Sequence, residues 1–204
     1  PNSRRQRQMC IRDRFIYYYI MPIQTPICDF GQKAHDFKLK STDNKILSLE
    51  DIKGENGTLI MFICNHCPYV KAVTKDISED TKKLKDLGIN AVAICANDAE
   101  NYPEDSFENM IEFAKKHQFS FPYLVDETQE IARTYDAVCT PDFFGYNKNL
   151  ELQYRGRLRE LKNLVPVRDG DSDLFNAMKQ IAETGKGPEN QTPSAGCSIK
   201  WKNS

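Results

Sequence analysis

The run Thr58 to Ile63 is apolar on both faces and ends on Cys64-Asn65-His66-Cys67. A segment apolar at consecutive positions suits a strand covered by helices on each side, as in a parallel sheet. Behind Cys67 the period changes. Val70, Val73, Ile77, Leu84 and Leu87 fall at helical spacing, with Lys71, Lys75, Asp76, Glu79, Lys82 and Lys83 between them. Gly88 stands where that helix should end. Ile89 to Cys95 reads as a second buried strand, which completes a right-handed βαβ unit.

The flanking segments fill in the order. Phe37 and Leu39 alternate with Lys38 and Lys40, Asp43-Asn44 is turn chemistry, and Lys45-Ile46-Leu47 returns as a strand. Ser48 with Asp51 is a capping-box start for one helical turn. Asn97 to Asp105 reads as a polar, solvated loop. Phe107, Met110, Ile111 and Ala114 mark a helix ending near His117, and Tyr123-Leu124-Val125 a short strand. A helix follows with Ile131, Ala132 and Tyr135 inward. Asp142–Tyr146 and Leu150–Tyr154 form a hairpin across Asn147-Lys148-Asn149. Leu158 to Gly170 reads as an irregular link. Arg155, Arg157 and Arg159 alternate on a strand end and read as a solvated edge. The last helix is capped at Asp171 or Ser172 and striped by Leu174, Phe175, Met178, Ile181 and Ala182. The expected fold class is α/β.

Composition changes little of this. At 204 residues, with 40% hydrophobic and 28% charged residues, the chain is an ordinary globular protein. No stretch approaches the roughly 18 continuous apolar residues of a membrane span. Residues 1–20 are different in kind. Ser3 to Arg14 is basic and aperiodic, resembling a translated sequencing-adapter read, and Phe15 to Ile20 resembles AT-rich leader. The expectation is a leader or non-native segment at 1–20, a native start at Met21, a domain over 21–186 and a tail over 187–204. A signal peptide fits less well, because the apolar run is short and no small-residue cleavage site follows. Without residues 1–14 the chain has 23 basic and 28 acidic residues, which disfavours nucleic acid or an anionic membrane as partner.

The candidate chemistry lies in the cysteines. Disulfide exchange needs a thiolate near neutral pH, whereas a free Cys has a pKa of about 8.5. A helix N-terminus favours the anion, and a second thiol two residues on can resolve a mixed disulfide. Cys64 and Cys67 are therefore the candidate catalytic pair, with Pro68 suited to a first helical turn. His66 lies between them and is the candidate pKa-tuning group. Its charge would stabilise the reduced dithiol and raise the potential above the thioredoxin value of about −270 mV. Thr140-Pro141 precedes a strand, where a cis bond can be selected. Opposite the Cys-x-x-Cys it would expose backbone groups to a substrate chain.

Other cysteines carry alternatives. Cys139 is either a third redox thiol or a small buried residue. Cys197 could resolve an oxidised active-site Cys, or pack in the tail beside Ile199 and Trp201. Cys95 reads as core, and Cys28 as inert in a mobile leader. A closed zinc site needs four ligands and no second Cys-x-x-Cys exists, so metal would have to recruit His66 or Cys139.

The order hairpin, β-α-β, α-β-α, β-β-α resembles the thioredoxin-like fold with a peroxiredoxin-like extra helix and strand. Residues 31–201 resemble a bacterial, peroxiredoxin-like branch of the redoxin or AhpC-TSA type. The matching stretches are Phe62-Ile63-Cys64-Asn65-His66-Cys67-Pro68-Tyr69-Val70, Asn97-Asp98 with Tyr102-Pro103-Glu104-Asp105-Ser106, Phe121-Pro122-Tyr123-Leu124-Val125-Asp126-Glu127, Cys139-Thr140-Pro141-Asp142-Phe143-Phe144 and Gly196-Cys197-Ser198-Ile199-Lys200-Trp201. The resemblance implies a thioredoxin fold, Cys64 and Cys67 as the redox pair and Pro141 as the cis-proline. Two positions depart from the better-known relatives. Thr58 stands where thioredoxins carry a buried Asp. Aligning the peroxidatic Cys of peroxiredoxins on Cys67 puts Cys64 at their Thr and Ile60 at their Pro, with no clear Arg near Pro141.

The resulting expectation is a cytoplasmic thiol–disulfide oxidoreductase without a cofactor or resident metal. By analogy with thioredoxin, Cys64 attacks and Cys67 resolves. Its partners would be a protein or small-molecule disulfide, or a peroxide, and an external thiol reductant. One alternative is a thiol peroxidase with Cys67 attacking. Another is a metal-binding module using Cys64 and Cys67.

Overall fold

The computed structural model describes residues 22–202. The 1–20 segment lies outside the described residues. In chain order, β1 (Ile23–Gln24) precedes the hairpin β2 (Lys38–Ser41) and β3 (Ile46–Ser48). Helix α1 (Leu49–Ile52) follows directly. Its cap is the predicted box: Asp51 N–H donates to Ser48 Oγ, and the Asp51 carboxylate accepts the Ser48 N–H at 2.8 Å. Strand β4 (Gly57–Phe62), helix α2 (Pro68–Asp86) and strand β5 (Ile89–Cys95) form the parallel crossover unit. Gly88 ends α2 at φ 75°, a conformation that costs a side chain-bearing residue.

A 3-10 turn (Pro103–Asp105) leads into α3 (Phe107–Lys116), capped by Ser106. Strand β6 (Tyr123–Val125), helix α4 (Glu130–Thr134) and strand β7 (Cys139–Thr140) come next. Then β8 (Asp142–Asn147) and β9 (Leu152–Tyr154) make the hairpin. The Asn147 side chain closes its turn by accepting the Asn149 and Glu151 N–H groups. The link predicted as irregular holds a small hairpin of β10 (Leu161–Lys162) and β11 (Val165–Pro166). Helix α5 (Asp173–Thr184) starts at Ser172 and stops at Gly185. Last comes β12 (Ala195–Ser198).

The main sheet has seven strands in the order β3-β2-β6-β5-β4-β8-β9. β4 is near its centre, parallel to β5 and antiparallel to β8, and all six of its residues are buried. This explains why the run is apolar on both faces. Leu59, Met61 and Ile63 face α2, α3 and α5 through Val70, Val73, Ile77, Met110, Met178 and Ile181. Ile60 and Phe62 face the other way, towards Leu49 and Ile52 of α1 and Ala132 and Tyr135 beside α4. Each such side chain contributes about 1.5–3 kcal/mol by leaving water.

A second sheet, β1-β12-β7, carries the C-terminal segment back onto the domain. In it Cys197 is opposite Thr140, and Ser198 is opposite Cys139. Neither β1 nor β12 was expected from sequence. Among the described residues no helix is long and apolar enough to cross a membrane.

Candidate active site

Cys64 follows the end of β4 and Cys67 is the N-cap of α2, with Pro68 as the first helical residue. The strand delivers both thiols to the open end of the helix, where backbone N–H groups lack intrahelical acceptors. The Thr140-Pro141 peptide is cis and sits against them. Cys64 Sγ lies 3.3 Å from Thr140 Oγ1, and Cys67 Sγ lies 3.0 Å from the Thr140 carbonyl oxygen. Both thiols are nearly closed to solvent, at 1% and 0% exposure.

The two sulfurs are not equivalent. Cys67 is pulled well below the ordinary thiol range, first by the Cys197 thiol, then by the Cys64 thiol and the Val70 N–H of the first helical turn. The Thr140 carbonyl acts in the opposite sense, since it accepts a proton from Cys67 in the neutral state. Cys64 is pushed up, chiefly by burial, then by donating to Cys67 and by the nearby Asp105 carboxylate. The electrostatics thus favour negative charge on Cys67 over Cys64, while the Thr140 carbonyl 3.0 Å from Cys67 Sγ favours its neutral thiol.

Cys197 lies on β12 and is partly exposed. Its thiol is held protonated first by the hydrogen bond to Cys67 and then by burial. Cys139 is buried, and burial pushes its thiol up, so the structure favours the packing alternative for it. Cys95 ends β5 in the core and is pushed up to about 12 by burial. Cys28 is half-buried against the opposite face of the sheet, and burial raises it to about 11.

His66 is not held by the thiols. Its Nδ1 is 2.6 Å from Asp105 Oδ2, and its ring stacks on Tyr102 with centroids 5.5 Å apart. The loop Asn97–Asp105 is therefore not simply solvated: Asp105 is buried under it. Its Oδ1 accepts the Asn65 N–H at 2.7 Å and the His66 N–H at 3.3 Å, while Oδ2 accepts Asn97 Nδ2 at 2.7 Å. The hydrogen bond to Asp105 raises the His66 pKa. Asn65 is fixed in turn by Tyr123 Oη, which donates to its Oδ1 at 3.1 Å, and by the Glu104 carbonyl. The sequence signal for this clamp was one acidic residue followed by a helix cap, too common to single out.

Ligand atoms of Cys64, His66 and Asp105 lie within 4.8 Å of one another and are the one grouping among the described residues that could approach a metal ion. Asp105 already accepts four hydrogen bonds there, so an ion would have to displace them.

The arginines are not a solvated edge. Arg155 is buried, with Nη2 3.1 Å from Asp142 Oδ2 and its guanidinium over the Phe144 ring. Arg157 pairs with Asp173 at 2.8 Å and Arg159 with Asp76 at 3.1 Å. Asp142 and Phe144 alternate with Phe143, which packs in the cluster containing Cys64 and Cys67. Arg155 is thus engaged on the face away from the thiols. Thr58 is fully buried, and its hydroxyl accepts the Gly54 N–H at 3.1 Å.

The element order, the central β4-α2-β5 unit and the cis-proline beside a Cys-x-x-Cys define a thioredoxin-like α/β protein. Residues 30–160 match the model of the AhpC/TSA family, and the chain belongs to that family. A crystal structure of an uncharacterized conserved protein from Geobacillus kaustophilus is similar at 42% identity and a TM-score of 0.86, covering 91% of this chain and 98% of that one. Peroxiredoxin Bcp of Bacillus subtilis is 25% identical over 161 residues, 76% of this chain and 98% of Bcp. The thiol-disulfide oxidoreductase ResA of Bacillus thuringiensis is 24% identical over 121 residues, 59% of this chain and 65% of ResA.

Proposed function

We propose that the protein is a thiol–disulfide oxidoreductase that cycles Cys64 and Cys67 between dithiol and disulfide. The observation that carries this is the placement of two thiols at the N-terminus of α2, in one core cluster and each against Thr140 beside Pro141. Cys67 supplies the thiolate, and Cys64, already directed at it, closes the disulfide. Substrates are protein or small-molecule disulfides, with an external thiol completing the cycle. The redox chemistry is assigned to the domain over residues 21–186, onto which the following tail returns through β12.

Thr140 and Pro141 would border the approaching substrate. His66 tunes the pair from the side, through its attraction to the Cys67 thiolate. Mapping alkylated cysteines by mass across a glutathione redox titration tests the reading. A two-electron step that links Cys64 to Cys67 is expected, and reduced thiols across the whole range would refute it.

One observation favours peroxidase activity as a second reading. The thiol pulled down is Cys67, followed by Pro68 at a helix start, as in the Cys-Pro of peroxiredoxins. Against it, Cys64 occupies the position of the peroxiredoxin Thr, and Arg155 is engaged by Asp142 on the other face. Sulfenic acid trapped on Cys67 after stoichiometric peroxide would favour this activity.

A further inference from the structure

Cys64 and Cys67 are 1% and 0% exposed, so an external thiol meets either sulfur less readily than it meets a more exposed one. Thiol exchange requires the attacking sulfur to reach the disulfide, so access limits the rate. Among the described cysteines, Cys197 alone combines partial exposure with packing against the cluster that holds the pair. It faces Thr140 across β7 and β12, and the Thr140 carbonyl is 3.0 Å from Cys67 Sγ. Strand β12 also packs on α2, whose first cap is Cys67.

The neighbouring glycine makes this approach possible. A Cβ on Gly196 would fall 2.0 Å from the Thr140 carbonyl oxygen. Any side chain there would push β12 away and take Cys197 with it.

We infer that Cys197 is a third catalytic thiol, through which electrons enter the buried pair by disulfide exchange with Cys67. This rests on the oxidoreductase reading above. Starting from the Cys64–Cys67 disulfide, Cys197 loses its proton to solvent and its thiolate attacks Cys67 Sγ. The Cys67–Cys197 bond forms, the Cys64–Cys67 bond breaks, and Cys64 leaves as a thiolate that takes up a proton. No electrons are gained or lost in this step. An external thiolate then attacks the exposed Cys197 Sγ and releases Cys67 as a thiolate. A second external thiol attacks the mixed disulfide, freeing Cys197 and leaving as the external disulfide. Two external thiols are oxidised and one protein disulfide is reduced.

The electrostatics suit this order. The hydrogen bond to the Cys67 thiolate, which holds the Cys197 proton in place, exists only in the reduced protein. Once Cys67 is in a disulfide that restraint is gone, leaving burial, which raises the Cys197 thiol, opposed by the Lys200 ammonium.

The test uses the full chain as wild type, Cys64→Ser and Cys197→Ser. Each is oxidised with one equivalent of a disulfide reagent, mapped by mass, then reduced with glutathione while the rate is followed. Cys64→Ser should yield a Cys67–Cys197 peptide pair. Cys197→Ser should form the Cys64–Cys67 disulfide, and glutathione should reduce it at least about tenfold more slowly than in wild type. Equal reduction rates, or no Cys67–Cys197 pair, overturns the relay while leaving the oxidoreductase reading intact. A wild type that never links Cys64 to Cys67 overturns both.

Discussion

His66 Nδ1 lies 2.6 Å from Oδ2 of the buried Asp105, so the imidazole inside the Cys-x-x-Cys is held by a carboxylate 39 residues away. The pair raises the His66 pKa. A raised folded-state value means the protonated ring stabilises the native state. That contribution is complete below the ordinary value of 6.5 and fades as the pH rises through the raised one. Asp105→Asn should bring the His66 ring titration back down and remove this pH dependence. It should also cost on the order of 1.5–3 kcal/mol at neutral pH, because the charged acceptor of the Asn65 and His66 amides is lost. Ring-proton NMR titration of both proteins, with urea unfolding across pH, checks both effects. An unshifted His66 titration would contradict the clamp.

The same ring bears on the redox potential. A protonated His66 would attract a thiolate on Cys67 and so stabilise the reduced form. The expected potential is above the thioredoxin value of about −270 mV. His66→Gln should lower it by roughly 30 mV, a tenfold change in the exchange equilibrium. Equilibration with glutathione measures both. A wild-type potential at or below the thioredoxin figure would count against a tuning role for His66.

Arg155 and Asp142 form a buried ion pair on the far face of the sheet. Arg155→Met alone leaves a buried carboxylate without its partner and should destabilise the fold by about 3–5 kcal/mol. Adding Asp142→Leu should recover most of that loss, because the uncompensated charge is gone. Chemical denaturation of the single and double variants compares them. Equal stability of the Arg155→Met variant and wild type would show that the pair is solvated in solution.

Gly196→Ala probes the seat of β12. The added methyl would fall 2.0 Å from the Thr140 carbonyl oxygen. The expected cost is about 1–3 kcal/mol, the usual range for overpacking. Hydrogen exchange at Cys197 and Ser198 should quicken along with it. Unchanged exchange would mean the strand tolerates the methyl without moving.

The sequence revealed most where the signal was local. β4, α2 and β5 announce themselves by a change of hydrophobic period at Cys67, and the Ser48–Asp51 box and Ser172 cap stand where their residue types imply. What stayed hidden depends on distant partners. β12 is short, contains Gly196 and Cys197, and becomes a strand only because β1 and β7 pair with it. Asp105 lies in a polar loop, and its burial follows from what Asn65, His66 and Asn97 present to it. Arg155 looked like an edge residue because its partner Asp142 sits on the neighbouring strand β8. The order of attack was also hidden. Analogy with thioredoxin points to Cys64, whereas the electrostatics raise the Cys64 thiol and lower that of Cys67.

The most direct test of the account is a pH titration of thiolate absorbance in the reduced protein, run on wild type, Cys64→Ser and Cys67→Ser. Wild type and Cys64→Ser should each show a thiolate that persists well below the ordinary thiol pKa, and Cys67→Ser should lose it. A low-pH thiolate that survives in Cys67→Ser and vanishes in Cys64→Ser would contradict the assignment of Cys67 as the reactive sulfur.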